Sequence, residues 1–148
     1  MIRKATMDDI NDCVALMQEY FTQFLELHGV PVVYNDVWTT AKDTINARQL
    51  LVVDHDGKVK GIAGWAMVAH PANSQVKIFY ETIWCVKSEF KMDALLLLRA
   101  LEREAEKVKA DLIVMANLST KSELRLNRIF KKRGFNFIET HYGKTIGE

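Results

Sequence analysis

The sequence is poor in the features that mark an unusual protein. Only two cysteines occur in 148 residues, Cys13 and Cys85, far apart, without CxxC spacing and each within an apolar stretch. That favours two buried free thiols over a disulfide or a metal site, and with them a reducing compartment such as a cytoplasm. The four histidines are scattered without ligand spacing, so no metal centre is expected. An excess of one charge is also missing: 20 Lys and Arg face 19 Asp and Glu. A chain so balanced has no global attraction to nucleic acid or to an anionic membrane. Long apolar runs are absent too. The longest, around Asp93 to Leu101, is broken by Arg99 and falls short of the ~20 residues a bilayer span requires. The N-terminus shows neither the basic leader nor the apolar core of a signal peptide. No repeat, linker or low-complexity segment is visible, and the length suits one domain over residues 1–148.

What is present is a legible order of elements. Ile2 to Ala5 is a strand candidate, and Thr6 with Asp9 has the form of a capping box. Ile10, Cys13, Val14, Met17, Phe21, Phe24 and Leu25 recur at helical spacing and predict an amphipathic helix that ends near Gly29. A second helix is expected over Asp36 to Arg48. Leu50 to Val53 and Lys58 to Ala69 read as two strands of a hairpin turned by Asp54-His55-Asp56-Gly57. His70 to Ser74 breaks the pattern, and Val76 to Val86 is a third long strand. Ala94, Leu95, Leu98, Leu101, Ala105 and Val108 trace the apolar face of a helix over Lys91 to Lys109. Asp111 to Ala116 is nearly continuously apolar, as in a strand buried on both faces in parallel pairing. Ser119 can cap a last helix to Arg133, stopped by Gly134, with closing strands at Phe135 to Ile138 and Tyr142 to Ile146. The result is a β-α-α-β-β-β-α-β-α-β order, with a right-handed crossover from Val76 to Ala116.

That order resembles the GNAT superfamily of acyl-CoA-dependent N-acetyltransferases over essentially the whole chain. Locally, Ile2-Arg3-Lys4-Ala5-Thr6 with Asp9 is similar to the family's opening. Trp84-Cys85-Val86-Lys87-Ser88-Glu89-Phe90-Lys91 resembles its passage from strand to cofactor helix, and Ile129-Phe130-Lys131-Lys132-Arg133-Gly134-Phe135 its late helix with the Gly-Phe that follows. The resemblance implies an α/β (α+β) fold with a mixed, mostly antiparallel central sheet flanked by helices. It implies acyl transfer from acetyl-CoA to an amine, with the cofactor at Val86 and at Lys91, Met92, Asp93, Ala94, Leu95 and Leu96, where a helix N-terminus meets the pyrophosphate. Glu81 would serve as general base, directly or through water, and Asn117 would orient cofactor or substrate. Each also fits a plainer place, Glu81 as an outward-facing strand residue and Asn117 in a turn.

The sequence departs from the family pattern at two places. The anchoring segment carries Lys91 where an Arg or Gln is usual, and Asp93 puts a negative charge near the pyrophosphate position. No glycine occurs between Gly64 and Gly134. Phe130 stands where many members have a Tyr that protonates the leaving thiolate. These departures motivate an alternative: a catalytically silent GNAT-fold protein that binds a protein partner, for example a virion component of the kind tailed phages encode. The basic late helix, with Lys121, Arg125, Arg128, Lys131, Lys132 and Arg133, reads as a solvated face or as a site for a CoA phosphate or acidic partner. Trp38, Trp65 and Trp84 read as core or interface residues.

Overall fold

Apolar residues at every position of Leu50-Leu51-Val52-Val53 require both faces of their strand to be covered, and the fold provides a helical layer for each. The computed structural model describes residues 1–116 and 123–147. Met1–Val114 forms one compact unit and Met115–Glu148 a second.

In the first unit the elements follow as β1 (Ile2–Lys4), α1 (Ile10–Glu26), α2 (Tyr34–Asn46), β2 (Leu50–His55), β3 (Lys58–His70), β4 (Asn73–Val86), α3 (Lys91–Lys107) and β5 (Leu112–Val114). The sheet order is β1-β2-β3-β4-β5. The first four strands pair antiparallel, and β5 joins β4 in parallel, Ile78 opposite Leu112 and Tyr80 opposite Val114. Cys13, Val14, Leu16 and Met17 of α1 and Val37, Ala41 and Ile45 of α2 close over Leu50, Val52, Ile62 and Ile83. Leu97, Leu98 and Leu101 bury the apolar face of α3 completely. Lys4 fixes α3 to the sheet, because its ammonium lies 2.7 Å from Glu104 and 4.1 Å from the centroid of the Trp65 ring. Trp65 in turn stacks on Phe79 at 5.1 Å.

The start of the chain is held by charge as well as by the ladder. The Arg3 guanidinium donates to both Asp9 carboxylate oxygens, at 2.7 and 2.8 Å, and through Nε to Asp54 at 2.9 Å. The Thr6 amide donates to Asp9 at 2.8 Å, while the Asp9 amide goes to the Thr6 carbonyl oxygen at 3.0 Å. The Arg3 hydrogen bonds hold the Asp9 carboxyl below its ordinary range against the opposing effect of burial.

Helices here end in a common way. Gly29, Arg48 and Lys109 follow α1, α2 and α3 with φ of 63°, 59° and 55°. Each is followed by an amide that reaches back five residues: Val30 to Leu25, Gln49 to Thr44 and Ala110 to Ala105. These are Schellman caps, two of them built without glycine.

The second unit contains α4 (Glu123–Lys132). It closes with the same motif: Gly134 at φ 85°, its amide on the Lys131 carbonyl at 3.1 Å, and the Phe135 amide on Phe130 at 3.0 Å. The Phe130 and Phe135 rings meet at 5.4 Å, the apolar contact that usually accompanies such a cap. The expected cap Ser119 lies outside the described residues.

Three expectations are corrected. The break at His70 to Ser74 narrows to Pro71-Ala72, because His70 and Asn73 already pair. The strand expected over Asp111 to Ala116 and buried on both faces covers Leu112–Val114 only, and Leu112 is exposed, as befits a strand at the end of the sheet order. Residues 135–147 form no strand: apolar side chains such as Phe137 and Tyr142 are 80% and 94% exposed, so β-rich composition there has no ladder or core to act on. No described helix is long and apolar enough to cross a membrane.

Candidate functional site

Two irregularities of β4 create the site. The β3–β4 register slips between Gly64 and Trp65: Gly64 faces Ile83 and Trp65 faces Glu81, so Thr82 is the extra residue of a β-bulge. A bulge bends its strand and re-aims the side chains beside it. Gly64 permits it, since a Cβ there would meet the Thr82 hydroxyl at 3.0 Å. The parallel β4–β5 ladder ends at Tyr80 and Val114, and β4 runs on past it from Glu81 to Val86. The two strands therefore part company at the residue next to the bulge.

Glu81 occupies that point and is only 4% exposed. Of the two places open to it from sequence, the outward-facing one is thereby excluded. Its charge is felt on neighbouring elements. The Tyr20 hydroxyl of α1 is pushed up in pKa by burial and then by Glu81. The Cys85 thiol is pushed up to about 12 by burial first, then by Glu19 and Glu81. Cys13 is likewise raised to about 12, chiefly by burial, so both free thiols are inert at neutral pH.

At its far end β4 leads through Lys87 and a single 3-10 turn, Ser88–Phe90, into α3. Val86 lies opposite Gly61, whose missing Cβ would stand 2.9 Å from the Val86 methyl. The Trp84 indole donates to the Ala94 carbonyl at 3.2 Å and fixes the first turn of α3 against β4. Lys91 is the first residue of α3, which continues directly from the 3-10 turn, and no side chain caps this start. Met92 is 78% exposed and Leu96 is also exposed. Ala94 and Leu95 are half-buried. Val86, Lys91, Met92, Asp93, Ala94, Leu95 and Leu96 are thus brought together, whereas Asn117 lies outside the described residues.

Two acids share this region, and each has a partner. The Glu89 carboxylate accepts from its own backbone amide and from the Ser88 hydroxyl, which hold its pKa below the usual range. Asp93 Oδ2 lies 3.0 Å from His55 Nε2 at the end of β2. The His55 ring is stacked at a tilt on Phe90, 4.5 Å between centroids, and the Lys60 ammonium lies 5.7 Å from the same Phe90 ring. Lys60 and Lys87 both act electrostatically on Glu89. Lys60, Lys87 and Lys91 thus belong to the segments around this helix start, and the acid within the helix is turned toward His55. His55, Lys60 and Tyr20 had no sequence signal: they come from β2, β3 and α1, and only the fold brings them toward β4 and α3.

Neither a protein-family model nor a curated protein matches the chain. Solved structures do. A predicted acetyltransferase from Clostridium acetobutylicum with acetyl-CoA superposes with a TM-score of 0.73 at 17% identity, covering 99% of this chain and 96% of that one. AAC(6')-Iy in complex with the bisubstrate analogue CoA-S-monomethyl-acetylneamine gives 0.73 at 13% identity, covering 97% and 95%. The ribosomal-protein-alanine N-acetyltransferase of Brucella melitensis gives 0.70 at 16%, covering 99% of each. The chain has the fold of the GNAT acetyltransferases, a mixed α+β architecture with a mostly antiparallel sheet.

Proposed function

We propose that the chain is an N-acyltransferase that moves an acyl group, acetyl in the simplest case, from acyl-CoA to an amine, and that residues 1–148 act as one catalytic domain. The observation that carries the reading is Glu81: a buried carboxylate next to a β-bulge, where β4 and β5 diverge and one strand-length before an uncapped helix start. The neighbours with acetyl-CoA and with a CoA bisubstrate analogue have this same fold.

In this reading Lys91, with the amides of Met92 and Asp93 behind it, holds the donor's pyrophosphate, and Lys87 and Lys60 add positive charge. Ala94 and Leu95 keep α3 close against β4, and Val86 offers its backbone to the pantetheine chain. Bound acyl-CoA supplies a thioester carbonyl open to attack. The amine nitrogen forms the new C–N bond as the C–S bond breaks, Glu81 takes the proton the nitrogen sheds, and the departing thiolate takes one from water. In the sequence Phe130 stands where the family pattern has the Tyr that would give this proton. Asn117 is assigned to orienting donor or acceptor.

The test is release of free CoA from acetyl-CoA in the presence of a panel of primary amines. Glu81→Gln keeps the side-chain shape and removes the base, and is expected to lower turnover by about 10²–10⁴-fold with donor affinity kept. Equal turnover in the variant removes Glu81 from the mechanism. A chain that binds no acyl-CoA is instead a silent member of the fold with a protein partner.

A further inference from the structure

The β2–β3 hairpin reaches the start of α3 through His55. Leu50 and Val52 of β2 belong to the core under α1 and α2, so strand alternation puts Leu51, Val53 and His55 on the opposite face, with α3. The end of β2 is held from several sides. The Asp54 amide donates to the Met1 carbonyl at 2.7 Å, and the Asp54 carboxylate accepts from Arg3 at 2.9 Å and from the Gly57 amide at 2.8 Å. The Val59 amide donates to Asp12 of α1 at 3.0 Å. Register slips between the strands, with Val53 opposite Gly61 and Asp54 opposite Val59, so Lys60 is the extra residue of a second β-bulge. Its carbonyl accepts from the Lys87 amide at 2.9 Å. From this support His55 meets α3 twice: its ring stacks on Phe90, the residue before the helix, and Nε2 lies 3.0 Å from Oδ2 of Asp93. A carboxylate oxygen only accepts, so the ring carries a hydrogen on Nε2.

Asp93 is the one acid in the first turn of α3 and its third residue. An acid at that position ordinarily turns back onto the amides at the helix start, as Asp9 does with the Thr6 amide at 2.8 Å. An incoming anion needs the same amides. Resting on the acyl-transfer reading above, we propose that His55 is a positioning residue of the donor site. By donating to Asp93 it holds the carboxylate on the hairpin and away from the helix start, and by its contact with Phe90 it fixes the turn from which α3 begins. The donor's pyrophosphate then meets Lys91 and the amides without a competing acid. The thioester and pantetheine end of the donor is untouched by this role.

The experiment titrates the full chain with CoA and acetyl-CoA, and measures turnover with acetyl-CoA and with S-acetylpantetheine, a thioester that lacks the pyrophosphate. His55→Leu keeps an apolar contact for Phe90 and removes the donor hydrogen. It is expected to weaken CoA about five- to tenfold, the loss of one hydrogen bond and the return of one nearby charge, and to raise KM for acetyl-CoA with kcat kept. KM for S-acetylpantetheine should not move. His55→Gln, which keeps an N–H at similar reach, should hold CoA affinity within about twofold of the parent, and in the Asp93→Asn chain His55→Leu should change it less than about twofold. Equal losses with both thioesters, equal losses in the Leu and Gln variants, or a full loss that persists in the Asp93→Asn chain each overturn the proposal. If the parent chain binds CoA and His55→Leu binds it as well, the positioning role falls and the transferase reading stands. If the parent and the Asp93→Asn chain bind neither CoA nor acetyl-CoA, both fall.

Discussion

The Asp93 carboxylate lies 3.0 Å from His55 Nε2, joining the third residue of α3 to the last residue of β2. An acid in the first turn stabilises a helix through its dipole, by about 0.3–1 kcal/mol, and at the same place opposes a bound pyrophosphate. Asp93→Asn separates the two effects. Stability is expected to fall by about 0.5–1 kcal/mol while acyl-CoA affinity rises about three- to tenfold, the Coulomb energy of one nearby charge in water. Denaturant melts and donor titration on the same variant check both signs; unchanged or weaker affinity places the pyrophosphate elsewhere.

Acid should unfold the chain in part through Asp9. Its folded pKa is lowered, chiefly by the hydrogen bonds from Arg3, so its contribution is fully present above the unfolded value of about 3.9 and is lost as pH falls through the folded value. Asp9→Asn is expected to cost about 1–3 kcal/mol at pH 7, and the gap to the parent chain should narrow below about pH 4. A gap that stays constant down to pH 2 contradicts the role given to this pair.

Lys109 holds a left-handed conformation at φ 55° in the cap of α3 and is exposed. An L-residue pays about 1–2 kcal/mol there, and glycine's extra freedom in the unfolded chain takes back about 0.4–1. Lys109→Gly should therefore stabilise by about 0.5–1 kcal/mol and raise the melting midpoint by about 1–4 °C. A lower midpoint would show that the Lys109 side chain contributes more than its backbone costs.

The parts of this fold that the sequence displays are those with a strong local signal. The α3 stripe, the hairpin around Gly57 and the Gly134 stop are each written in a few neighbouring residues and recur in the structure, except that α3 ends at Lys107 and leaves Val108, the last residue of the expected stripe, exposed. The expected strands at Phe135 to Ile138 and Tyr142 to Ile146 show the limit of that signal. Aromatic and β-branched composition favours a strand only beside a partner, and none pairs there among the described residues. The site divides the same way. Lys91 and Glu81 follow from a resemblance carried by neighbouring motifs, but the bulge at Thr82 depends on register between two strands, and no property of Thr82 itself marks it. The meeting of His55 with Asp93 spans 38 positions and is visible only once β2 and α3 are packed.

The account stands most directly on donor binding, measured by calorimetric titration of the chain with acetyl-CoA and with CoA. Saturable one-to-one binding of both is predicted, with a matching rise in thermal midpoint at saturating ligand. No heat and no shift with either, at concentrations up to millimolar, would contradict the transferase reading and leave a GNAT fold whose ligand is not acyl-CoA.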